Sequence, residues 1–500
     1  MTEQRTNSNP FENPAARRAH LADLDRLRGL GTVERDLIRL GLMPGLGRWI
    51  EQITATGGCA HPVYLRGSTT VVDTATGEVL RHYSTRGEPG ERLAVRCRNR
   101  RASRCPTCSY QYAGDTFQLV SAGLVGGKSV PGDVAGHPRV FATLTAPSFG
   151  RVHREGRCHR ARSGVCEHGQ PAGCGRVHAG ADPLVGQPVC GDCYDYPGHV
   201  LWHAHAGRLW SAFRDNLHHH LAAGAGVRRS MVRHLVRVSA VKVAEFQRRS
   251  AVHFHAVIRL DGPNGPGDAP PGWATVGLLC AVVRSAAEVV ALNAPDSAAY
   301  GSRVLRFGDQ LDVRPLTGSL DGDLPDGRVA GYLAKYVTKS VTDAQTLDRR
   351  IVSAAQVRAL RASDHVRALV GTAWRLGGLP ELQQLRLRAW AHTLGYRGHC
   401  VTKTRAYSTT YGALRAARAA LHVGRPPMDA ITETSWRYVS SGHSPAEALM
   451  AAGIAADLAT AREIARDHAP GWVGGAPRAP SRADGPSCTT DDQVGGSNGG

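Results

Sequence analysis

The sequence predicts a protein of the α+β class. Segments in which apolar and polar residues alternate, as strands require, occur at residues 59–95, 139–146 and 243–260. Longer segments with apolar residues at helical spacing lie between and after them. Nine of the 12 cysteines lie between Cys59 and Cys193, a clustering typical of metal ligands rather than disulfides in a cytosolic protein.

Composition limits the function classes. The net charge is +19, which favours a polyanionic partner, and nucleic acid before a membrane surface. A GC-rich genome would explain the preference for Arg over Lys, but not the excess over 42 acidic residues. No apolar run approaches the roughly 18 residues of a membrane span, and residues 1–13 are polar, unlike a signal peptide. We therefore expect a cytoplasmic, DNA-binding protein without a membrane partner.

Five segments follow one another along the chain. The pattern changes from helical to strand-like, returns to helical, and ends in a stretch of Gly, Ser, Pro and Asp that is typical of disorder. A helical pair is predicted over 429–467 within the fourth segment. The predicted segments are 1–50 (N-terminal helical), 51–136 (Cys-containing zinc-binding module), 137–345 (central domain, with a Cys/His-rich insertion at 150–198), 346–470 (C-terminal helical, DNA-binding) and 471–500 (disordered tail).

A predicted strand pair carries the first candidate site. Its second strand alternates so that His253 and His255 share one face, and a polar turn at 247–251 places Glu245 of the first strand opposite His253. Two imidazoles and a carboxylate could hold a divalent metal. His-x-His alone is weak, because the chain contains 23 His. Asp312, on a later strand, is the alternative third ligand.

A predicted helix carries the second candidate site. Tyr332, Lys335, Tyr336 and Lys339 lie at i, i+3, i+4 and i+7, on one helix face, in a chain that otherwise prefers Arg to Lys. A phenol can attack phosphorus when positive charge opposes its pKa of about 10. Combined with a metal that polarises the phosphate, the helix predicts a phosphodiester transesterification site. The alternative is an amphipathic helix whose tyrosines pack inward.

Three motifs in this order resemble the HUH (His-hydrophobic-His) endonuclease class of rolling-circle replication initiators. They are Phe141-Ala-Thr-Leu-Thr-Ala-Pro147, His253-Phe-His255 and the Tyr332 to Lys339 helix. Residues 97–108, 190–196 and 395–411 resemble, more narrowly, the RepSA-type initiators of actinobacterial plasmids and integrative elements. Similarity spans roughly residues 55–425.

The resemblance implies a ferredoxin-like antiparallel sheet with the His strand central and the Tyr helix packed across it. It also implies a helical region after the nuclease domain, for which a winged helix is one possible form. The activity implied is a metal-dependent nick in one strand at an origin, single-stranded or extruded, using Mg²⁺ or Mn²⁺. The nick leaves a 5′-phosphotyrosine and a free 3′-OH that primes a host polymerase, and a host helicase is expected to unwind the DNA.

The roles of the two tyrosines also follow from the resemblance. In some related initiators both tyrosines act in turn, and in others a glutamate at the position of Tyr332 activates water. Tyr336 is therefore preferred as the first nucleophile, with Tyr332 as its partner and with Lys335 and Lys339 beside them. A relaxase or transposase of the same class would use the same site. A non-catalytic, zinc-stabilised DNA-binding regulator is the alternative outside the class.

The cysteines predict structural Zn²⁺, because Cys105-x-x-Cys108 and Cys190-x-x-Cys193 are half-sites for tetrahedral zinc. One predicted site joins Cys59 and Cys97 to the first pair. The other would combine the second pair with two of Cys158, Cys166 and Cys174, or with His168 or His178.

Arginines near the first predicted zinc site are candidate phosphate contacts. They lie between Cys97 and Cys105, and Arg415 and Arg418 of a later helix are of the same kind. An ordinary solvated face is the alternative for each of them. The four arginines of the loop are Arg98, Arg100, Arg101 and Arg104.

Overall fold

The computed structural model describes residues 30–159, 164–316, 326–338, 349–423 and 429–468. Lys339, the predicted tail at 471–500 and most of the predicted first helix lie outside the described residues. The chain forms two compact units. One contains the described residues up to Tyr112 and from Arg415 onward, and the other contains those from Ala113 to Leu414.

The fold mixes helices with antiparallel sheets, as predicted from the sequence. The described helices are α1 (Thr32–Gly41), α2 (Leu46–Ala55), α3 (Pro106–Val125), α4 (Tyr196–Gly224), α5 (Val232–Leu235), α6 (Val276–Glu288), α7 (Asp326–Val337), α8 (Ala354–Arg358), α9 (Asp364–Leu376), α10 (Tyr411–Val423) and α11 (Pro445–Asp467). The strands are β1 (Val63–Asp73), β2 (Val79–Ser84), β3 (Leu93–Val95), β4 (Arg139–Thr145), β5 (Gly156–Arg157), β6 (Val177–His178), β7 (Arg237–Phe246), β8 (Val252–Asp261), β9 (Leu292–Asn293), β10 (Val304–Leu305), β11 (Leu311–Pro315), β12 (Val401–Lys403) and β13 (Ala430–Ser441).

The larger unit is built on a five-stranded antiparallel sheet in the order β11-β4-β8-β7-β12. The His strand β8 is therefore central. The apolar residues of β8 face the core: the ring of Phe254 packs against Trp202 and Trp210 of α4, at centroid distances of 6.3 and 5.9 Å. Because side chains alternate along a strand, His253 and His255 lie on the opposite face.

A buried ion pair closes the far end of β8. Arg259 donates from Nε to Asp261 at 2.6 Å and from Nη2 at 3.0 Å, and both side chains are fully buried. The carboxylate also accepts from Ser239 Oγ at 2.5 Å and contacts His137 Nδ1 at 2.8 Å. Arg259 donates further to the carbonyl of Gly123 in α3. The network joins α3 to the sheet. Each buried charge in it has a partner, and loss of either partner would leave the other charge buried and unpaired.

The smaller unit pairs the two ends of the described chain. Strand β1 pairs with β13, β2 and β3, all antiparallel. At Gly67, φ is +154° and a Cβ would lie 1.8 Å from the carbonyl oxygen of Ser435 in β13, so only glycine fits this crossing. Helices α2 and α11 contribute Trp49, Ile53 and Ala446 to the core of the unit.

The predicted helical pair over 429–467 is wrong in its first half, because residues 430–441 form β13. β-Branched and aromatic residues, such as Ile431 and Trp436, favour a strand, and the partner strand lies more than 350 residues away in sequence. The first part of the predicted C-terminal helical segment, 346–394, contains α8, α9 and two 3₁₀ segments, Pro380–Leu385 and Leu387–Thr393, within its described part. No described helix is long and apolar enough to cross a membrane.

The buried ion pair predicts a large loss of stability. Asp261→Ala leaves the Arg259 guanidinium buried without its partner, which typically costs about 3–5 kcal/mol. Urea unfolding followed by circular dichroism measures the free energy of unfolding. The exposed Asp309→Ala serves as the control, with an expected change within about 0.5 kcal/mol. Equal midpoints for the two variants would contradict the prediction.

Candidate metal centre

The hairpin of β7 and β8 brings three candidate ligands together. Glu245 pairs with His253, and Val243 pairs with His255, as the predicted register requires. The connecting turn is closed by the amide of Gln247, which donates to the carbonyl of Ala251 at 2.9 Å. Side chains two residues apart on β8 therefore meet the carboxylate across the strand pair.

The ligand atoms converge closely. Nε2 of His253 and Nε2 of His255 each lie 3.0 Å from Oε2 of Glu245, and the candidate ligand atoms all lie within 4.8 Å of one another. Burial raises the pKa of Glu245, but hydrogen bonds from the two imidazoles outweigh it and lower the pKa to about 2. The carboxylate is thus ionised in the neutral range. Two imidazoles and one carboxylate can hold a divalent metal and leave coordination positions open for substrate oxygens.

The neighbouring strand β4 orients His255. Thr143 is the cross-strand partner of His255, and its Oγ1 lies 3.1 Å from Nδ1. A metal on Nε2 requires the proton on Nδ1, which then donates to Thr143. The ring of Phe141 stacks on the same imidazole at 5.8 Å. Both residues belong to the motif from 141 to 147, but their contact with His255 depends on strand register that the sequence alone did not provide.

Helix α7 places both tyrosines over this site. Oη of Tyr332 lies 3.4 Å from Nε2 of His255. The ring centroids of Tyr332 and Tyr336 lie 5.0 and 5.6 Å from that of His255, and 4.4 Å from each other. Burial, with Tyr336 and Glu245 nearby, raises the pKa of Tyr332 well above its usual value. A phenol in this position needs nearby positive charge before it can ionise.

The other face of α7 is fixed to the sheet. Val329, Leu333 and Val337 are buried, and Asp326 in the first turn contacts Nη2 of Arg139 at 3.1 Å. Burial raises the pKa of this aspartate despite the nearby guanidinium. Lys335 is exposed, with Nζ 6.0 Å from the ring centroid of Tyr336. The residues that pack this helix into the core are therefore the valines and the leucine, not the tyrosines.

Asp312, the alternative third ligand, lies elsewhere. It pairs with Thr143 on the far side of β4 from β8, is exposed, and contacts Arg314 at 3.0 Å. The candidate group of three contains Glu245 instead. His203 and His205 are buried in α4 as separate structural contacts: Nε2 of His203 accepts from the amide of Val252, and Nδ1 of His205 lies 2.8 Å from the carbonyl of Leu201.

A second candidate metal group lies in the smaller unit. Cys59, Cys97, Cys105 and Cys108 converge as the sequence predicts. Sγ of Cys59 lies 3.8 Å from that of Cys105 and 3.6 Å from that of Cys108, and it accepts from the amide of Cys97 at 3.3 Å. Because α3 begins at Pro106, Cys105 lies directly before the helix and Cys108 lies in its first turn.

The loop between Cys97 and Cys105 carries the predicted phosphate-binding arginines. Arg98 is exposed and has a positive φ of 55°, a turn conformation stabilised where the side chain of Asn99 accepts from the amide of Arg101 at 3.0 Å. Arg104 is half-buried at the end of the loop. Arg100 and Arg101 are also half-buried, and each has polar interactions of its own.

The insertion contains two further groups. Cys190 and Cys193 lie with Cys166 and His168. Cys158, Cys174 and His178 instead form a separate group with His153, a residue that the sequence-based prediction missed. The signal available in the sequence was that His153 lies five residues before Cys158, close to the four-residue separation of Cys174 and His178.

Comparison with known proteins assigns a family. The family model described as "RepSA: Replication initiator protein, pSAM2" matches residues 45–456. A curated "Replication initiator protein" of Streptomyces ambofaciens is 45% identical over 447 residues, which cover 86% of this chain and 95% of that protein. No solved structure matches the chain.

The geometry predicts that Glu245, not Asp312, is the third metal ligand. Glu245→Gln keeps the size but removes the charge, so Mn²⁺ affinity should fall by more than the roughly 10–100-fold that loss of an outer-shell partner costs. Free Mn²⁺ measured by electron paramagnetic resonance gives the affinity. Asp312→Asn is the matched control and should leave it unchanged. Equal losses of Mn²⁺ affinity in both variants would contradict the assignment of Glu245 as the third ligand.

Proposed function

The chain belongs to the RepSA family of replication initiator proteins, and we propose that it starts replication by nicking one DNA strand at an origin with a tyrosine. A phenolate oxygen of α7 would attack the scissile phosphorus. The bond from phosphorus to the 3′-oxygen would break, which gives a 5′-phosphotyrosine and a 3′-OH that primes rolling-circle synthesis. The observation that carries the proposal is the contact of both tyrosine rings with His255 of the candidate metal group.

His253, His255 and Glu245 fit a resident Mg²⁺ or Mn²⁺, because an ionised carboxylate and two orientable imidazoles form a set with open positions. When bound, the metal would polarise the phosphate and oppose the charge that develops on it. The protein's own part is positional. Thr143 and Phe141 hold the ring of His255, while α7 holds the phenols against it. A rigid placement of nucleophile and phosphate lowers the entropic part of the barrier.

Tyr336 is proposed as the first nucleophile and Tyr332 as its partner. The hydroxyl of Tyr332 lies against Nε2 of His255, and burial beside Glu245 raises its pKa. This phenol would therefore be difficult to ionise before substrate binds. Tyr336 lies one turn closer to the helix C-terminus, next to the exposed Lys335. Lys335, together with Lys339 outside the described residues, would supply positive charge to the phosphate or phenolate.

The nuclease domain is proposed to have the ferredoxin-like arrangement of the HUH class. A five-stranded antiparallel sheet with the His strand at its centre supports this, as does a tyrosine helix on the face of the histidines. A winged-helix form for part of 346–470, and the boundaries of the five predicted segments, stay predictions.

The Cys59 group is proposed to hold a structural Zn²⁺, since four convergent thiols form a closed tetrahedral set. It would fix the ends of the Arg98 to Arg104 loop, which would contact DNA phosphates. The partners proposed are origin DNA, single-stranded or extruded, together with a host helicase and polymerase. A relaxase or transposase reaction uses the same chemistry, whereas a non-catalytic regulator would bind the origin without cleaving it.

The tyrosines give the decisive test. Incubation with single-stranded origin DNA and Mn²⁺ should yield a covalent protein–DNA adduct, seen as a shifted band on a denaturing gel. Tyr336→Phe should abolish the adduct because it lacks the attacking oxygen. Tyr332→Phe should still form the adduct but fail to resolve it. Full adduct from Tyr336→Phe with none from Tyr332→Phe would reverse the two roles.

Controls separate nicking from binding. Tyr300→Phe removes a hydroxyl that contacts the carbonyl of Pro295 in another part of the unit, and should form the adduct normally. If the wild-type chain binds the element's DNA but cleaves none of it across a tiled library, the regulator is the correct function.

The arginine loop predicts the salt dependence of DNA binding. Removal of one phosphate-binding side chain should reduce the slope of log K against log salt by about 1 for duplex DNA. Arg98→Ala/Arg104→Ala should thus lower its magnitude by about 1–2, measured by fluorescence anisotropy. Arg367→Ala removes an arginine that is paired with Asp364 and should leave the slope unchanged. An unchanged slope in the loop variant would make these arginines ordinary solvated residues.

A further inference from the structure

The eight candidate ligands of the insertion alternate in pairs along the chain. His153 and Cys158 belong to one group, the next two ligands belong to the other, and the pattern then repeats. In chain order, the first group is His153, Cys158, Cys174 and His178, and the second is Cys166, His168, Cys190 and Cys193. Each group therefore closes a loop that contains a ligand pair of the other group.

The first group has the geometry of a prepared site. Sγ of Cys174 lies 3.2 Å from Nε2 of His178, and Sγ of Cys158 lies 3.8 Å from Nδ1 of His153. The other ring nitrogen of His178 lies 2.6 Å from a carboxylate oxygen of Asp182. A carboxylate behind a ligating imidazole fixes its tautomer and directs the free nitrogen to the metal. Asp182 thus prepares His178 to bind a metal through Nε2.

In the second group, a backbone turn holds the first two ligands, Cys166 and His168. Nδ1 of His168 lies 3.3 Å from Sγ of Cys193 and 3.9 Å from Sγ of Cys190. The amide of Gly169 donates to the carbonyl of Cys166, which forms a tight turn around the first ligand pair. Three thiols and one imidazole make a set that favours zinc.

Burial shows what holds this segment together. Among the described residues from 154 to 189, the buried ones are Cys158, His178 and two glycines, Gly173 and Gly186. Two of the valines face solvent: Val165 is 67% exposed and Val177 is 73% exposed. Every buried side chain in this range is thus a candidate ligand, and apolar burial cannot supply the free energy that orders the segment.

We propose that the insertion is a cross-braced module that binds two Zn²⁺ ions, one in each interleaved group. The first metal joins the chain at 153–158 to 174–178, and the second joins 166–168 to 190–193. Loss of either metal opens the loop that carries one ligand pair of the other site, so that pair is no longer held in place. The two ions should therefore bind cooperatively, and their binding free energy becomes folding free energy of the module.

The module supports the catalytic hairpin. At Gly186, φ is +92° and a Cβ would lie 2.4 Å from the carbonyl oxygen of Arg248, in the turn that joins β7 to β8. That turn separates Glu245 from His253. The zinc module is thus a positioning element for the candidate metal centre. Zinc binding does not rest on nicking: a chain that bound both ions and never cleaved DNA would support this proposal and contradict the proposed function.

Zinc content of the full chain, measured by mass spectrometry of the metal, tests the proposal. The difference between wild type and Cys166→Ser/Cys174→Ser should be two Zn²⁺ per chain, whatever the Cys59 group holds. After dialysis against a moderate chelator, each single variant should also lose two, since each disturbs both sites. Cys400→Ser, a cysteine outside all the candidate groups, should lose none. A difference of one or zero in the double variant would overturn the two sites.

A measurement on the unsubstituted chain guards against misfolding of the variants. During chelator titration, native mass spectrometry should show the two ions leaving together, so that chains lacking both outnumber chains lacking one. Stepwise loss with a dominant singly depleted species, or single variants that each lose one ion, would overturn the cross-brace.

Discussion

The register of β7 against β8 is the constraint on which the candidate site depends. It is fixed by the apolar face of β8, where Phe254 packs against Trp202 and Trp210. A slip of one residue would turn Phe254 to the other face and send both imidazoles into the core, at a cost that the buried aromatic residues make prohibitive. With the register held, Glu245 faces His253 and reaches His255 as well. The candidate metal group is thus a consequence of packing on the opposite side of the sheet.

The position of the tyrosine helix α7 is likewise fixed by packing on the side opposite to the tyrosines. Val329, Leu333 and Val337 face the core, and Asp326 contacts the buried Arg139, so the spacing of the remaining face points Tyr332 and Tyr336 at His255. The charges of the two sides of the site are also related. Glu245 is ionised, while Tyr332 is desolvated beside it and its pKa is raised. Under the proposed mechanism, a bound divalent ion would offset the negative charge of Glu245 and lower the pKa of Tyr332.

Two parts of the chain are organised around thiol and imidazole clusters. The Cys59 group joins β1, the Arg98 loop and the start of α3, and the insertion is organised around ligands rather than apolar side chains. If these groups hold metal ions as proposed, a few metal–ligand bonds would order segments that bury little apolar surface. The buried ion pair of Arg259 and Asp261 has a comparable role within the larger unit, joining helix to sheet through polar contacts.

The sequence by itself determined the features that repeat over short distances. Alternation placed His253 and His255 on one face, the turn placed Glu245 opposite them, and helical spacing aligned Tyr332 with Tyr336. These placements follow from the regular geometry of the backbone. Side chains two residues apart share a face of a strand, and side chains four residues apart share a face of a helix. Only the tertiary structure decided which distant segments meet. The pairing of β13 with β1, the contact of Thr143 with His255, and the grouping of His153 with His178 all join residues whose proximity comes from packing and topology. No local period encodes such contacts, because many pairings satisfy the same local preferences and the global burial of apolar surface selects one of them.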